Sequence, residues 1–160
     1  MEENTEISKL AYELTLQTHL LNRDKNRSLF TQLSIPEYIL LYGVTQTASD
    51  QGRVYLKDLS RRLELPMSRL SGLAGGLKER GLVQWSHDGK GNDGTYLVIT
   101  DSGRQAMARQ EALLTGYYTR VAAEFGRENL THLLQQMKTL GKIMDEAFEG
   151  GTEDGSEQIE

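Results

Sequence analysis

The chain has 160 residues, 18 basic and 23 acidic side chains, a net charge of −5 and no cysteine. That length suits one small domain with helical additions, and the missing thiols exclude disulfides, a thiol redox switch and thiolate metal sites. The acidic start of the chain and an apolar run no longer than that around Tyr38 to Val44 argue against a secretory signal and a bilayer span, so a soluble, cytoplasmic protein with no membrane partner is expected.

Ile7, Leu10, Ala11, Leu14 and Leu21 recur at helical spacing and predict an amphipathic helix over Thr5–Asn22, ended by the polar gap Arg23 to Arg27. Ser34-Ile35-Pro36-Glu37 then supplies a hydroxyl at the N-cap and a carboxylate three residues on, the spacing of a capping box. The helix it opens carries Ile39, Leu40, Leu41, Tyr42 and Val44, and apolar residues wrap most of it, so burial is expected. Ser49 to Gly52 reads as a loop, and Val54 and Tyr55 as a short strand.

Leu56, Leu59 and Leu63 mark one short helix, and Leu70, Leu73 and Leu77 a second that begins after Pro66. A cation followed by glycine, Arg80-Gly81, ends the second helix, since glycine takes the left-handed cap conformation without penalty. Leu82 to Trp85 and Tyr96 to Thr100 are rich in β-formers, and the glycine-bearing run Asp88 to Gly94 between them is hairpin chemistry. Helix, turn, helix, strand, loop, strand is the order of a winged helix-turn-helix, with the hairpin as its wing.

From Asp101 a long helix carries Met107, Leu113, Leu114, Tyr117, Val121 and Phe125, and Gly126-Arg127 interrupts it. Leu130, Leu133, Leu134, Met137, Leu140, Met144 and Phe148 line a last helix. So small a winged domain covers neither terminal stripe, which leaves a helical dimer interface or an intramolecular bundle, the dimer being the more economical. The expected fold is mainly α with a small β-wing. Residues 5–48 and 101–148 form the helical dimerisation region and scaffold, 53–100 the winged segment, and 149–160 a disordered acidic tail. Charge divides accordingly: residues 1–52 hold 4 basic and 7 acidic groups, 53–100 hold 8 and 5, and 101–160 hold 6 and 11. Only the winged segment is positive, as a phosphate-binding patch or as ordinary solvated surface.

Leu77-Lys78-Glu79-Arg80-Gly81-Leu82-Val83 and Ile99-Thr100-Asp101-Ser102-Gly103-Arg104, at this separation and between these helices, resemble the MarR-type winged-helix transcription regulators. The resemblance spans roughly Ile7 to Phe148. It implies a homodimeric, sequence-specific regulator, acting as a repressor on a pseudo-palindromic duplex operator and responsive to a small aromatic or anionic ligand. Carried onto this chain, it puts Met67, Ser68, Arg69, Ser71 and Gly72 of the recognition helix against the major groove, with Arg53, Arg61, Lys90 and Asn92 as further DNA contacts. Tyr12, His19, Tyr38, Tyr42 and Tyr117, with Tyr118 beside it, fall on the helices that would surround a ligand cleft, or are plain core and interface tyrosines.

The chain also departs from the family. Gly72 and Gly76 replace larger polar residues, Gly75 adds a third flexible position, and Gly91, Asn92 and Asp93 stand where an arginine-bearing wing tip is usual. Trp85 replaces a common arginine and reads as a packing residue. These departures motivate a rival reading, a winged-helix dimer that has lost specific DNA binding and serves as a protein-interaction or ligand-sensing module. Neither reading involves catalysis or a cofactor. His19, His87 and His132 have no second histidine at metal-ligand spacing, and neither a nucleophile elbow nor a phosphate loop is present, so no metal and no enzyme activity are expected.

Overall fold

The computed structural model describes residues 1–22, 28–47 and 52–153. In chain order they form α1 (Glu2–Asn22), α2 (Ile35–Thr47), β1 (Val54–Tyr55), α3 (Leu56–Leu63), α4 (Met67–Glu79), β2 (Val83–His87), a 3-10 turn (Gly91–Asp93), β3 (Thr95–Ile99), α5 (Asp101–Phe125) and α6 (Arg127–Glu153). Two compact units divide them, Met1–Leu114 and Thr115–Glu160. The helix-turn-helix and wing lie wholly within the first.

The leucine spacing does what helical periodicity requires. Leu40, Leu41 and Val44 of α2, Leu59 of α3, Leu70, Ala74 and Leu77 of α4 and Leu97 of β3 are completely buried together, and Leu63 and Leu73 pack half-buried against them. Each such leucine contributes about 1.5–3 kcal/mol relative to leaving it in water. Gly43 sits where a Cβ would stand 3.2 Å from Leu59 Cδ2, so the missing side chain lets α2 lie close on α3. The sheet is antiparallel in the order β1-β3-β2, with Val54 opposite Leu97 and Val83 opposite Ile99. Val54 and Tyr55 thus supply the short strand expected of them.

Polar groups fix the joints between these elements. The Ser34 N–H donates to Glu37 Oε1 and the Glu37 N–H to Ser34 Oγ, each at 3.3 Å, the reciprocal pair of a capping box. At the end of α4, Gly81 takes a φ of +73°, and the Leu82 N–H reaches back to the Leu77 carbonyl while the Gly81 N–H reaches Lys78, a Schellman closure. Thr100 opens α5: its hydroxyl donates to the Gly81 carbonyl and accepts from the Gly103 N–H. A Cβ on Gly103 would lie 2.1 Å from the Leu82 carbonyl oxygen, so only glycine fits there.

Four expectations need correction. α1 begins at Glu2 rather than Thr5, the acidic first turn complementing the helix dipole. α2 is buried on one face only, because Ile39 and Tyr42 are both 42% exposed. The 3-10 turn Gly91–Asp93 lies inside what was expected to be a plain hairpin loop. The last helix starts at Arg127, directly after Gly126 with its φ of +94°, and runs on to Glu153, through part of the segment expected to be disordered. Helix propagation adds one hydrogen bond per residue, and that carries the helix over Gly150 and Gly151 although each costs about 1 kcal/mol against alanine. The 23–27 gap, Ser49 to Gln51 and residues 154–160 lie outside the described residues.

α1 contains no buried residue, and from residue 131 to 150 every side chain of α6 is exposed. Leu10 and Leu14 in α1, and Leu134, Met137 and Met144 in α6, are each more than half exposed.

Candidate nucleic-acid interface

α4 presents two faces set by its leucines. Leu70, Ala74 and Leu77 turn inward, which leaves Met67, Ser68, Arg69 and Gly72 exposed together over its first turns. Pro66 caps the helix at a φ of −59° with no side-chain hydrogen bond, so the first-turn N–H groups remain available to an acceptor such as a phosphate. No ion pair engages Arg69 among the described residues. Ser71 is half-buried instead, in a groove of about 480 Å³ that it lines with Gly75, Lys78, Glu79 and Trp85. Trp85 itself packs half-buried on the core, the packing role its position suggested. A Cβ at Gly72, Gly75 or Gly76 would meet nothing within 4 Å.

The wing is organised by a residue that sequence reasoning passed over. Asp88 Oδ1 accepts the Lys90 backbone N–H at 2.8 Å, and Oδ2 accepts the Tyr55 hydroxyl at 3.1 Å. The Lys90 backbone hydrogen bond above all, then the Tyr55 hydroxyl and the nearby Lys90 charge, hold the Asp88 carboxyl below the usual range against a smaller opposing effect of burial. His87 Nδ1 accepts the Gly89 N–H at 2.8 Å, so Nε2 carries the proton and donates to the Gly91 carbonyl at 2.6 Å. An Asp-Gly pair opening a hairpin loop was the available signal, since aspartate bonds the backbone two residues on.

Other charges of the wing are also engaged. Lys57 lies 4.0 Å from Asp93, both exposed. The Arg53 guanidinium sits over the Tyr96 ring, 4.6 Å from its centroid, a cation–π contact that fixes it beside β3. Lys90 and Asn92 are exposed at the loop and Arg61 on α3. The expected DNA contacts therefore fall into an exposed cluster at the start of α4, a wing group in which Arg53 is half-buried, Arg61 on α3, and Ser71 in its groove.

The ligand candidates fall in both units, Tyr12, His19, Tyr38 and Tyr42 in the first and Tyr117 in the second. Tyr38 and Tyr42 approach at 6.0 Å between centroids, and Phe30 joins Tyr38 at 5.8 Å. Burial first, then the Glu111 and Tyr42 charges, push the Tyr38 hydroxyl up from its ordinary value. Tyr117 and Tyr118 stack edge to face at 5.3 Å in the second unit. Tyr12 and His19 are exposed on α1. A cleft of about 420 Å³ in the first unit is lined by none of these, but by Thr31, Gln32, Ala106, Arg109, Gln110 and neighbouring α5 residues. Its Gln110 is buried and donates to the Leu29 carbonyl at 2.8 Å.

This arrangement is the winged-helix fold of the MarR-type regulators. The chain is similar to the MarR family regulator NMB1585 from Neisseria meningitidis, at 19% identity over 91% of this chain and 98% of that one, with a TM-score of 0.64. It is similar as well to PcaV, a transcriptional regulator from Streptomyces coelicolor solved with its natural ligand, at 18% identity over 83% and 89%, TM-score 0.65. A third likeness is to BpsR of Bordetella bronchiseptica, whose DNA binding is regulated by 6-hydroxynicotinic acid, at 17% identity over 78% and 91%, TM-score 0.60. These neighbours are transcription regulators rather than enzymes. No protein-family model and no curated protein matches the sequence. Among the described residues no helix is long and apolar enough to cross a membrane, and no His, Cys, Asp and Glu cluster is suited to a metal ion.

Proposed function

We propose that this protein is a sequence-specific DNA-binding transcription regulator that acts as a homodimer on a pseudo-palindromic operator, as a repressor. The observation that carries the reading is the exposed Met67–Ser68–Arg69 turn at the uncapped start of α4, the end of a recognition helix that meets base edges. The uncovered apolar rows of α1 and α6 support the homodimer, since a second copy of the chain is the economical cover for them. Release by a small aromatic or anionic compound is supported by the open cleft at Arg109, which offers a guanidinium beside alanine and leucine side chains.

Selection of bound sequences from random duplex DNA tests the reading, and an enriched motif is the expected result. If each subunit neutralises two or three phosphates, the slope of log affinity against log salt is about −4 to −5. Arg69→Ala should cost about 1–3 kcal/mol on the enriched site and relax discrimination there, while Lys90→Ala weakens all duplexes alike. A panel of small aromatic acids should yield one that raises thermal stability and lowers DNA affinity together, as linkage requires.

The rival reading, a dimer without specific DNA binding, draws on one observation. Asp93 pairs with Lys57 of α3 and Asp88 anchors the loop, so the wing tip holds two carboxylates against one cation, Lys90. Absence of any enriched motif would decide for it.

A further inference from the structure

The recognition helix is weak by composition and unanchored at its reading end. Three of its thirteen residues are glycines, and no side chain caps its N-terminus. At the opposite end a single arginine grips two other parts of the first unit. One terminal nitrogen of the Arg80 guanidinium donates to Glu37 Oε2, and the other donates to the Gln32 backbone carbonyl at 2.6 Å. Glu37 is half-buried and already committed through its other oxygen to the Ser34 N–H, so it is a fixed acceptor rather than a mobile surface charge. Gln32 is held in turn, its side-chain oxygen accepting from Arg109 Nε on α5 at 3.3 Å.

We propose that Arg80 is a positioning residue for DNA binding: with Glu37 and the Gln32 carbonyl it clamps the far end of α4 and so fixes the direction in which Arg69 and Ser68 are presented. This rests on the DNA-binding reading above. A planar guanidinium that donates in two directions fixes orientation as well as distance, which a lysine ammonium does not. The lever is long. Arg69 and Arg80 are eleven residues apart, about 16 Å along a helix, so a tilt of about 5° at the clamp moves the reading end by about 1.4 Å, enough to spoil hydrogen bonds to base edges. Arg80 is also partly exposed, and the competing role is a direct phosphate contact.

Charge separates the two roles. A clamp needs Glu37, whereas a phosphate contact is hindered by it. The experiment measures affinity of the full chain for its enriched duplex, the salt slope and amide hydrogen exchange in Arg80→Met, Glu37→Ala, the double variant and Ser34→Ala. Arg80→Met and Glu37→Ala should each weaken binding about fivefold or more at unchanged slope, and the double variant should be no worse than the weaker single. Ser34→Ala, which removes the cap and leaves the clamp, should bind nearly as wild type. Arg80→Lys should recover only part of the affinity.

Binding that is unchanged or tighter in Glu37→Ala, or a shallower salt slope in Arg80→Met, overturns the proposal in favour of a phosphate contact. A loss in Ser34→Ala equal to that in Glu37→Ala overturns it in favour of the cap. If wild type enriches no duplex, the DNA-binding reading fails and the clamp is judged on exchange in the free protein. Amides from Gly76 to Leu82 should then exchange about fivefold faster in Arg80→Met but not in Ser34→Ala, and unchanged exchange overturns the clamp.

Discussion

The winged segment and the two outer helices are built on opposite terms. Between Val54 and Gly103 most apolar side chains are buried or half-buried against one another, and the joints are tied by named hydrogen bonds such as those of Thr100, Asp88 and Ser60, whose hydroxyl donates to the Leu65 carbonyl at 2.6 Å. α1 and α6 are longer than any element of that segment, yet their apolar rows face outward. A short sequence that closes on itself can be stable within one chain. A long amphipathic helix with an open stripe lacks the burial that offsets its conformational entropy.

The comparison is most sharply tested at Gly103. Gly103→Ala forces a methyl group against the Leu82 carbonyl, which cannot move without opening the sheet, and should destabilise the first unit by about 3 kcal/mol in chemical denaturation. An open-space glycine treated the same way should show nothing comparable.

Next in size is the outer region. The dimer predicted from its stripes should sediment at twice the chain mass at micromolar concentration, and Leu133→Asp with Met137→Asp should abolish that species, since an unpaired charge is not buried without large cost. Dissociation with the β-sheet signal retained would support the division between regions. A wild-type chain that sediments as a monomer would refute it.

Smaller and opposite in sign is the effect of filling the recognition helix. Gly72→Ala, Gly75→Ala and Gly76→Ala meet no neighbour, so each should raise stability by about 0.5–1 kcal/mol, read as an increase in Tm. A fall would mean that the helix depends on its glycines in a way packing does not reveal.

The smallest expected effect is at the wing. A carboxyl held below its usual range contributes order that is complete above the ordinary aspartate value and disappears as pH falls through the lowered one. The Lys90 amide resonance should therefore stay fixed through the ordinary aspartate range and shift only in stronger acid. Asp88→Asn should remove that titration while leaving the β2–β3 pairing intact.

Much of this was legible because it depends on neighbours in sequence. The capping box at Ser34 and Glu37, the Gly81 stop and the leucine stripes of α3 and α4 all act within one turn or one face of a helix. The exposed start of α4 followed directly, since burying Leu70, Ala74 and Leu77 leaves Ser68, Arg69 and Gly72 on the other side. The Thr100 and Gly103 pair was visible only as a resemblance. Its reason, a hydroxyl and a missing Cβ at the Leu82 carbonyl, joins residues some twenty apart and required the sheet to exist.

By itself, the sequence determined element types, their order and which helix faces are apolar, because helix and hairpin chemistry is local. Tertiary structure decided where those faces went. It joined Tyr38 to Phe30 and Tyr42, laid Arg53 on Tyr96, and gave Arg80 its partners Glu37 and Gln32, 43 and 48 residues away. Such pairings rest on the distance between side chains brought close by folding, and no local periodicity encodes that distance.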